Sequence, residues 1–421
     1  MLPEAFAIVL VLFLEHPFLT AILLIALEVP RYTLAILSIG MSNLFKVRSN
    51  ARSTRQVTAI VPTYNGGTDI RHTLDSLLKQ SIPIHEIIIV DDGSDDGSCD
   101  CVAQIMETHA HVQYVRHEQR AGKSAAINHA AYLASGDLLL IVDNDTSLEP
   151  DACVQLATAF DDPDVAAATG NLLVNRSKQN PLTALQSLEY MLAISIGRGF
   201  LSQLNALSCC SGAFSMFQKH YFRAVGGMNV GPGEDLEITL RLRAAGYKIR
   251  FVDSALAQTT VPQTVRALFR QRLRWDGDAV GTRLLMYREL SFFKPGETWS
   301  GVLQRLDYIF LELLPTIIFP FYLAMLWIDY GQNTVDVLVA LYVVLFWLYA
   351  LNIALAIIIT RRAITWLDIL VFPLMPLYQG FIMRLVRLVA ISDEILLARS
   401  RTDALVPEHV RQALYKNGSH D

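Results

Sequence analysis

Two aspartates in the run Asp143-Asn144-Asp145 have the spacing of a metal site. They follow an apolar stretch of strand type, and carboxylates at positions i and i+2 there can hold a hard divalent cation, Mg²⁺ or Mn²⁺, which in turn holds a diphosphate. The chain has two other such pairs, Asp162/Asp164 and Asp276/Asp278, but neither ends an apolar strand. A solvated turn with a helix cap explains Asp143 and Asp145 equally well, so the pair alone leaves both interpretations open.

Two further acidic runs lie at positions where a carboxylate could act on a substrate. In Asp91-Asp92-Gly93-Ser94, an aspartate can accept the imide N–H of a uracil base, and glycine lets the chain turn closely. An ordinary Asp-Gly turn is the alternative. Glu234 and Asp235 open a predicted helix, whose positive dipole end favours the carboxylate anion that a general base requires. A plain first-turn acid is the alternative there.

Gln271, Arg274 and Trp275 have the spacing i, i+3, i+4, which places them on one face of a predicted helix. Arginine can bind two phosphate oxygens at once. Tryptophan can stack on a sugar ring, and glutamine can hydrogen-bond a hydroxyl or a phosphate. The alternative is an interfacial Trp-Arg pair that anchors the helix to lipid headgroups.

Two weaker signals accompany these residues. Lys123 follows Gly122 and could offset the charge of a diphosphate, although a solvated lysine at a helix start is the alternative. Ser211 and Gly212 could line a close approach to a sugar. They follow Cys209-Cys210, and a buried, inert thiol pair is the alternative interpretation of that run.

Strand-like and helix-like patterns alternate between residues 57 and 142. The predicted strands cover 57–62, 86–90, 112–115 and 138–142, and helical spacing or small-residue runs lie between them. This alternation predicts a mostly parallel sheet with right-handed crossovers. Ligands bind such sheets beyond the carboxyl ends of the strands, where two of the acidic runs lie.

Composition indicates that part of the chain lies in lipid. Of 421 residues, 52% are hydrophobic and only 18% are charged, against about 25% charged in an average soluble protein. The net charge of −5 argues against a nucleic-acid partner, which would normally meet a basic stripe. The five cysteines match no zinc spacing, which favours a reduced, cytosol-facing domain.

Apolar runs predict membrane helices at both ends of the chain. Residues 1–46 are interpreted as a retained anchor of one or two helices, followed by a basic cluster suited to the cytoplasmic face. Residues 309–328 and 337–359 predict two spans, with the connector outside because it carries no Lys or Arg. Segment 364–391 fits a span or a re-entrant segment. Residues 263–292 look amphipathic and Arg-rich, as a surface-bound helix would.

Taken in order, these motifs resemble those of the processive family 2 glycosyltransferases, namely the cellulose, chitin, hyaluronan and poly-N-acetylglucosamine synthases. The resemblance covers about residues 55 to 280 closely and the membrane parts loosely. Two departures are Gly66-Gly67-Thr68, where many relatives have acidic residues, and Gly233, where many have threonine. The matching runs are Ile60-Val-Pro-Thr-Tyr64-Asn65, Val90-Asp-Asp92-Gly-Ser94, Gly122-Lys123, Asp143-Asn-Asp145, Ser211-Gly-Ala-Phe214, Gly233-Glu-Asp235 and Gln271-Arg-Leu-Arg274-Trp275.

The resemblance implies a role for each of these runs. Tyr64 and Asp92 would hold the uracil, with Lys123 near the nucleotide, and Asp143 and Asp145 would bind the diphosphate through Mg²⁺ or Mn²⁺. Asp235 would be the catalytic base, beside Glu234. The helix with Gln271, Arg274 and Trp275 would close over the diphosphate and the acceptor sugar. Ser211 and Gly212 would also lie close to the diphosphate and the acceptor sugar.

The implied architecture is an α/β GT-A (Rossmann-like) catalytic domain combined with transmembrane and interfacial helices. Its predicted parts are an N-terminal anchor, the catalytic domain, amphipathic interfacial helices, a transmembrane or re-entrant region and a cytosolic tail. The domain would face the cytoplasm from a multi-pass inner-membrane location. The corresponding boundaries are 1–46, 55–262, 263–300, 305–392 and 393–421.

The expected function is that of a membrane-embedded inverting transferase that polymerises a UDP-sugar. UDP-N-acetylglucosamine is favoured over UDP-glucose, because the runs at 211–214 and 271–275 look most like those of hexosamine polymerases. The partners would be the donor, the growing polysaccharide, the lipid bilayer and accessory export subunits, with no nucleic acid. The rival interpretations are a non-processive enzyme that adds a single sugar to a lipid carrier and a non-enzymatic membrane scaffold.

Overall fold

The computed structural model describes residues 29–45, 55–67, 69–175, 180–229, 233–286 and 298–397, together with residues 7, 10, 11 and 14. Most of the predicted anchor at 1–46 lies outside the described residues, as does the predicted tail at 393–421 beyond residue 397. The three runs of acidic site residues and both predicted C-terminal spans lie within them.

Within the described residues, eight strands form one mixed sheet, in the order β3-β2-β1-β4-β7-β6-β8-β5. The first half of the sheet is parallel, since β1 pairs in parallel with β2 and β4, and β2 with β3. The four predicted strands are therefore confirmed, each within a residue at its ends. The strands are β1 (Val57–Thr63), β2 (Glu86–Asp91), β3 (Val112–Arg116), β4 (Leu138–Val142), β5 (Thr146–Leu148), β6 (Val165–Val174), β7 (Phe214–Gln218) and β8 (Lys248–Thr259).

The second half of the sheet departs from the predicted parallel arrangement. Strand β7 runs antiparallel to both β4 and β6, and β5 runs antiparallel to β8, whereas β6 and β8 are parallel. The side chain of Phe214 is buried on one face of β7 and that of Phe217 on the other. A central strand buried on both faces carries no alternating pattern, and no local pattern indicates whether such a strand runs parallel or antiparallel to its neighbours.

Helices flank the sheet and continue into an apolar helical layer. In the first half of the sheet the helices alternate with the parallel strands, as the sequence predicts, so the carboxyl ends of those strands lie at the same edge. The α-helices are α1 (Val29–Phe45), α2 (Asp69–Leu78), α3 (Ser98–Met106), α4 (Lys123–Leu133), α5 (Ala152–Ala157), α6 (Pro181–Tyr190), α7 (Gly199–Gln203), α8 (Lys219–Ala224), α9 (Glu234–Ala244), α10 (Val265–Val280), α11 (Trp299–Asp307), α12 (Leu314–Tyr330), α13 (Thr334–Thr360), α14 (Trp366–Val371), α15 (Met375–Leu377) and α16 (Met383–Leu397).

Several of these helices are extended by wider or tighter helical turns. Wider π-type turns at Met191–Arg198 and Gly281–Met286 continue α6 and α10. The remaining segments of this kind lie in the C-terminal half or between α5 and β6. They are Thr158–Asp161, Tyr308–Leu313, Gly331–Asn333, Phe372–Leu374 and Tyr378–Ile382.

Two apolar cores cover the two faces of the sheet. One packs the β1, β2 and β4 side chains against α2 and α5, and the other packs the opposite faces against α4 and α9. Gly170 in β6 allows the backbone to lie very close to Phe214 and Ala255 in the first core. A Cβ atom there would lie 2.0 Å from Cε1 of Phe214 and 2.8 Å from the carbonyl oxygen of Ala255. Only glycine fits at that position.

A third core lies among the helices of the helical layer. It brings α1 and α13 together with α6 and the turns that follow α6, through buried residues that include Tyr32, Ile36, Leu192 and Ile353. The segments Trp299–Thr360 and Trp366–Leu397 are long and apolar enough to cross a membrane. The predicted spans at 309–328 and 337–359 are confirmed as apolar helical segments, and their orientation stays a prediction.

Replacing Gly170 by alanine is expected to destabilise the sheet by about 1–3 kcal/mol, because the added methyl group must displace Phe214. The measurement is the thermal unfolding midpoint of the detergent-solubilised protein. Ser254→Thr, which adds one methyl group at an exposed position of β8, is the matched control. Equal midpoints for the two variants would contradict the packing argument.

Candidate active site

The carboxyl ends of β1, β2 and β4 meet at one edge of the sheet. The Asn144 side chain donates to Oγ1 of Thr63 at the end of β1 (3.0 Å), and the N–H of Asp92 donates to the carbonyl oxygen of Thr63 (2.9 Å). The loop after β4 is thus tied to the loops after β1 and β2. This edge is the ligand-binding position of an open α/β sheet.

Lys123, at the start of α4, lies at the centre of an acidic cluster on this edge. Its Nζ is 2.6 Å from Oδ1 of Asp143 and 3.3 Å from Oε1 of Glu234, and it donates to the carbonyl oxygen of Gly212 at 3.5 Å. Burial opposes the lysine charge, but the carboxylates of Asp143 and Glu234 outweigh it and raise the pKa of Lys123 above its usual range. The lysine therefore joins the loop after β4 to the start of α9.

Asp235 is positioned by backbone donors at the start of α9. Its Oδ2 accepts the N–H of Gly212 (2.9 Å), and its Oδ1 accepts the N–H of Leu236 (2.7 Å). Gly233 precedes the helix with φ of 67°, a left-handed conformation that favours glycine. Burial raises the pKa of the neighbouring Glu234, and the charge of Asp235 raises it further against the opposing effect of Lys123.

Gly212 permits the close approach of these charged groups. A Cβ atom at Gly212 would lie 2.9 Å from Nζ of Lys123 and 3.5 Å from carboxylate oxygens of both Asp235 and Glu234. Ser211 beside it is buried, and its N–H donates to Oγ1 of Thr169 (3.2 Å). Ser211 and Gly212 therefore belong to this site, where the glycine leaves space and the serine fixes the loop.

Asp145 completes the pair that would hold a divalent cation. Burial raises the pKa of Asp145 to about 6, and the nearby charge of Asp143 contributes in the same direction. Two carboxylates that repel each other fit a cation, and Mg²⁺ typically takes one or two protein carboxylates plus phosphate and water oxygens. In the described part of the chain, no group of three His, Cys, Asp or Glu side chains could hold a metal ion. Asp143 and Asp145 would be the protein ligands of the divalent cation.

Asp92 is buried and holds the loop that leads to Lys123. Its Oδ1 accepts the N–H of Ala121 (2.7 Å) and its Oδ2 that of Gly122 (2.8 Å). Asp91 and Asp92 therefore have different roles. Asp91 accepts the N–H and the hydroxyl of Ser94 and so closes the turn after β2. The remaining lone pairs of Asp92 could still accept a base N–H.

Three residues around Asp92 were not singled out from the sequence. Nδ1 of His117 lies 2.9 Å from Oδ1 of Asp92, and its Nε2 lies 3.0 Å from Nδ1 of His129, with the two rings stacked. The guanidinium of Arg120 lies 4.0 Å above the ring of Tyr64. A base stacked on Tyr64 would therefore meet or displace Arg120. The only sequence signal was the position of Arg120 just before the run Gly122-Lys123.

Helix α10 carries the last group of predicted residues. Arg274 is exposed and Trp275 is 40% exposed, while Oε1 of Gln271 is buried without a hydrogen-bond partner in the described structure. The C-terminal part of α10 packs on the start of α9, since a Cβ at Gly233 would lie 3.3 Å from Cβ of Asp278. The helix thus adjoins the acidic cluster, but no hydrogen bond or ion pair joins Gln271, Arg274 or Trp275 to it among the described contacts.

Comparison with known proteins shows which families and folds this chain resembles. Residues 58–226 match the model of glycosyl transferase family 2. The chain is 29% identical over 236 residues to a poly-β-1,6-N-acetyl-D-glucosamine synthase of Staphylococcus epidermidis, covering 56% of the chain and 57% of that relative. It is 31% identical over 271 residues to an N-acetylglucosaminyltransferase of Rhizobium sp. (strain N33), covering 61% and 60%. The chain thus matches little more than half the length of these curated relatives.

A solved structure shows the same fold over most of the chain. The mannosyltransferase PcManGT of Pyrobaculum calidifontis, solved in complex with GDP-Man and Mn²⁺, is 20% identical with a TM-score of 0.63, covering 90% of this chain and 99% of its own. Residues 58–226 therefore match glycosyl transferase family 2 on a GT-A fold, and the chain is similar to synthase-like members of that family. The expected resemblance is confirmed.

Metal binding at Asp143 and Asp145 is expected to weaken below pH about 6, because the proton on Asp145 competes with the cation. Affinity for Mn²⁺ in the presence of UDP, measured by titration calorimetry from pH 5 to 8, should fall up to about tenfold per pH unit below that pKa. Asp145→Asn should bind Mn²⁺ weakly at every pH. Asp164→Asn, in an exposed Asp-x-Asp pair, is the matched control, and a pH profile in which all three proteins coincide would refute the site.

Proposed function

We propose that this protein is a membrane-embedded, inverting, processive β-glycosyltransferase that polymerises UDP-N-acetylglucosamine into an exported polysaccharide, with UDP-glucose the second choice of donor. The observation that carries the proposal is the cluster in which Lys123 contacts Asp143 and Glu234 beside Asp235. The named N-acetylglucosamine synthases and transferases among its relatives support the donor.

Asp235 is proposed as the general base. Its carboxylate is held by two backbone N–H groups, and an ionised carboxylate has further lone pairs to accept a proton. The hydroxyl of the acceptor sugar gives its proton to Asp235 while its oxygen attacks the anomeric carbon and the bond to UDP breaks. In-line attack on an α-linked donor gives a β-linkage. General-base help of this kind contributes about 10²–10⁴-fold in rate.

The donor is proposed to lie across the strand ends. Its uracil would stack on Tyr64 and hydrogen-bond Asp92, and its diphosphate would face Lys123. A divalent cation bound by Asp143 and Asp145 would supply Lewis-acid stabilisation of the negative charge on the departing UDP. Lys123 already has its positive charge fixed beside that position, so it needs little reorganisation when the diphosphate arrives.

Helix α10 is proposed to close the acceptor side, with Gln271 and Arg274 on the diphosphate and Trp275 against the acceptor sugar. The packing of α10 near the start of α9 supports this placement. The apolar segments 299–360 and 366–397 would then hold the domain at the inner face of the membrane and give a growing polymer a route outwards. We further propose the domain boundaries given above, with accessory export subunits as partners.

A non-processive enzyme that adds one sugar to a lipid carrier is the second candidate. The observation that favours it is an arginine-lined cavity beside α10, described below. Both candidates share the same donor site and base.

Asp235→Asn is expected to abolish sugar transfer while UDP binding is retained, because the amide cannot take a proton yet leaves the donor contacts in place. Turnover with radiolabelled UDP-N-acetylglucosamine should fall by about 10²-fold or more, and UDP affinity should stay within about twofold by this reasoning. Asp95→Asn, an exposed aspartate in the loop after β2, is the matched control. Substantial residual transfer by Asp235→Asn would reject the base assignment.

Product length separates the two candidates. Purified protein with radiolabelled donor and metal is expected to form a ladder of long chains on a gel, since α10 would retain the acceptor between additions. A product of one added sugar that partitions into organic solvent would favour the lipid-carrier enzyme. Absence of UDP release with any UDP-sugar would reject both and revive the scaffold interpretation.

A further inference from the structure

A polar cavity of about 230 Å³ lies between α10, the turns that follow α6 and the C-terminal helices. It contains none of the residues of the acidic cluster described above. Its walls come from the catalytic domain on one side and from the two apolar segments on the other. The charged side chains that line it are Arg31, Arg198, Arg272, Arg384, Arg387, Glu189 and Glu312.

The lining of this cavity has an excess of positive charge. Five guanidinium groups face two carboxylates, and both carboxylates are already engaged. Glu189 binds Arg272 at 2.9 Å and accepts the hydroxyl of Tyr378, while Glu312 lies 3.4 Å from Arg31. Behind the lining, Asp307 pairs with Arg31 and Asp276 with Arg387.

Two arginine donors that line the cavity have no hydrogen-bond partner. Nη1 of Arg198 and Nε of Arg272 are buried, and neither meets an acceptor within the described structure. An unpaired buried N–H of a charged group is costly, and an anion in the cavity would satisfy both the hydrogen bonds and the charge. An uncharged sugar would satisfy only the hydrogen bonds.

We propose that this cavity binds a phosphate group. Phosphate oxygens match the planar donor arrangement of guanidinium groups, and charge-assisted hydrogen bonds of this kind are stronger than neutral ones. The group can come from a lipid headgroup, which the apolar segments on one wall would bring to the cavity, or from free phosphate. The proposal concerns binding alone, so it stands or falls separately from the proposed sugar transfer.

The test uses the full chain in an uncharged detergent with EDTA, and then in nanodiscs. The probes are inorganic phosphate in detergent, and nanodiscs of phosphatidylcholine with or without phosphatidic acid. We expect either probe to raise the thermal unfolding midpoint of the wild type, and Arg198→Gln to need about tenfold more inorganic phosphate for half the effect. Arg198→Lys, which keeps the charge but loses the planar donors, should be intermediate. Arg266→Gln, an exposed arginine on α10, should match the wild type.

The outcomes separate the sources and the sites. Stabilisation by phosphatidic acid without inorganic phosphate identifies a lipid headgroup, and stabilisation by both shows that the anion itself is sufficient. In a separate sample without EDTA, stabilisation by UDP with Mn²⁺ should be the same in Arg198→Gln as in the wild type, because the donor site lies elsewhere. If neither probe stabilises the wild type, or if Arg198→Gln responds like the wild type to both, the phosphate site is overturned.

Discussion

The geometry of the candidate active site depends on one cation, the partly buried side chain of Lys123. Lys123 binds the carboxylates of Asp143 and Glu234 and so joins three segments that are far apart in the chain, at the start of α4, the end of β4 and the start of α9. Without that positive charge, the acids gathered at this edge would repel one another at short range. Gly212 leaves room for the lysine ammonium, because a Cβ atom there would lie 2.9 Å from Nζ of Lys123. The mixed sheet supplies the fixed strand ends on which this cluster is built.

A second set of polar contacts joins the helical layer to the catalytic domain. Arg272 on α10 pairs with Glu189 on α6, and the hydroxyl of Tyr378 in the C-terminal segment donates to the same carboxylate. Arg272 also lies over the ring of Trp275, 4.8 Å from its centre. A shift of the C-terminal helices would therefore change the position of α10, the helix that carries Trp275. In this way the apolar segments contact the helix that adjoins the candidate active site.

Much of the first half of the fold follows from the sequence, because β1, β2 and β4 are mainly apolar, fully buried runs separated by helical patterns. The acidic runs also follow from it, since each lies directly after a strand or at a helix start. The second half does not, because β7 is short, buried on both faces and antiparallel, and no local pattern gives a strand its direction. Arg120, His117 and Arg198 were missed for a related reason. Their importance comes from contacts with residues distant in the chain, and isolated basic residues in a sequence do not reveal such contacts.

The sequence by itself determined the class of chemistry. A nucleotide-sugar site is predicted from residue types and their order alone, because each residue is positioned by the strand end or helix end next to it in the chain. These residues are Asp92, Asp143, Asp145, Asp235 and the run at 271–275. The tertiary structure decided which of these side chains lie close enough to interact electrostatically. It placed Lys123 between Asp143 and Glu234, and it formed an arginine-lined cavity between α10 and the apolar helices. The physical reason is that electrostatic interactions depend on distance in space, which only the packing of remote segments fixes.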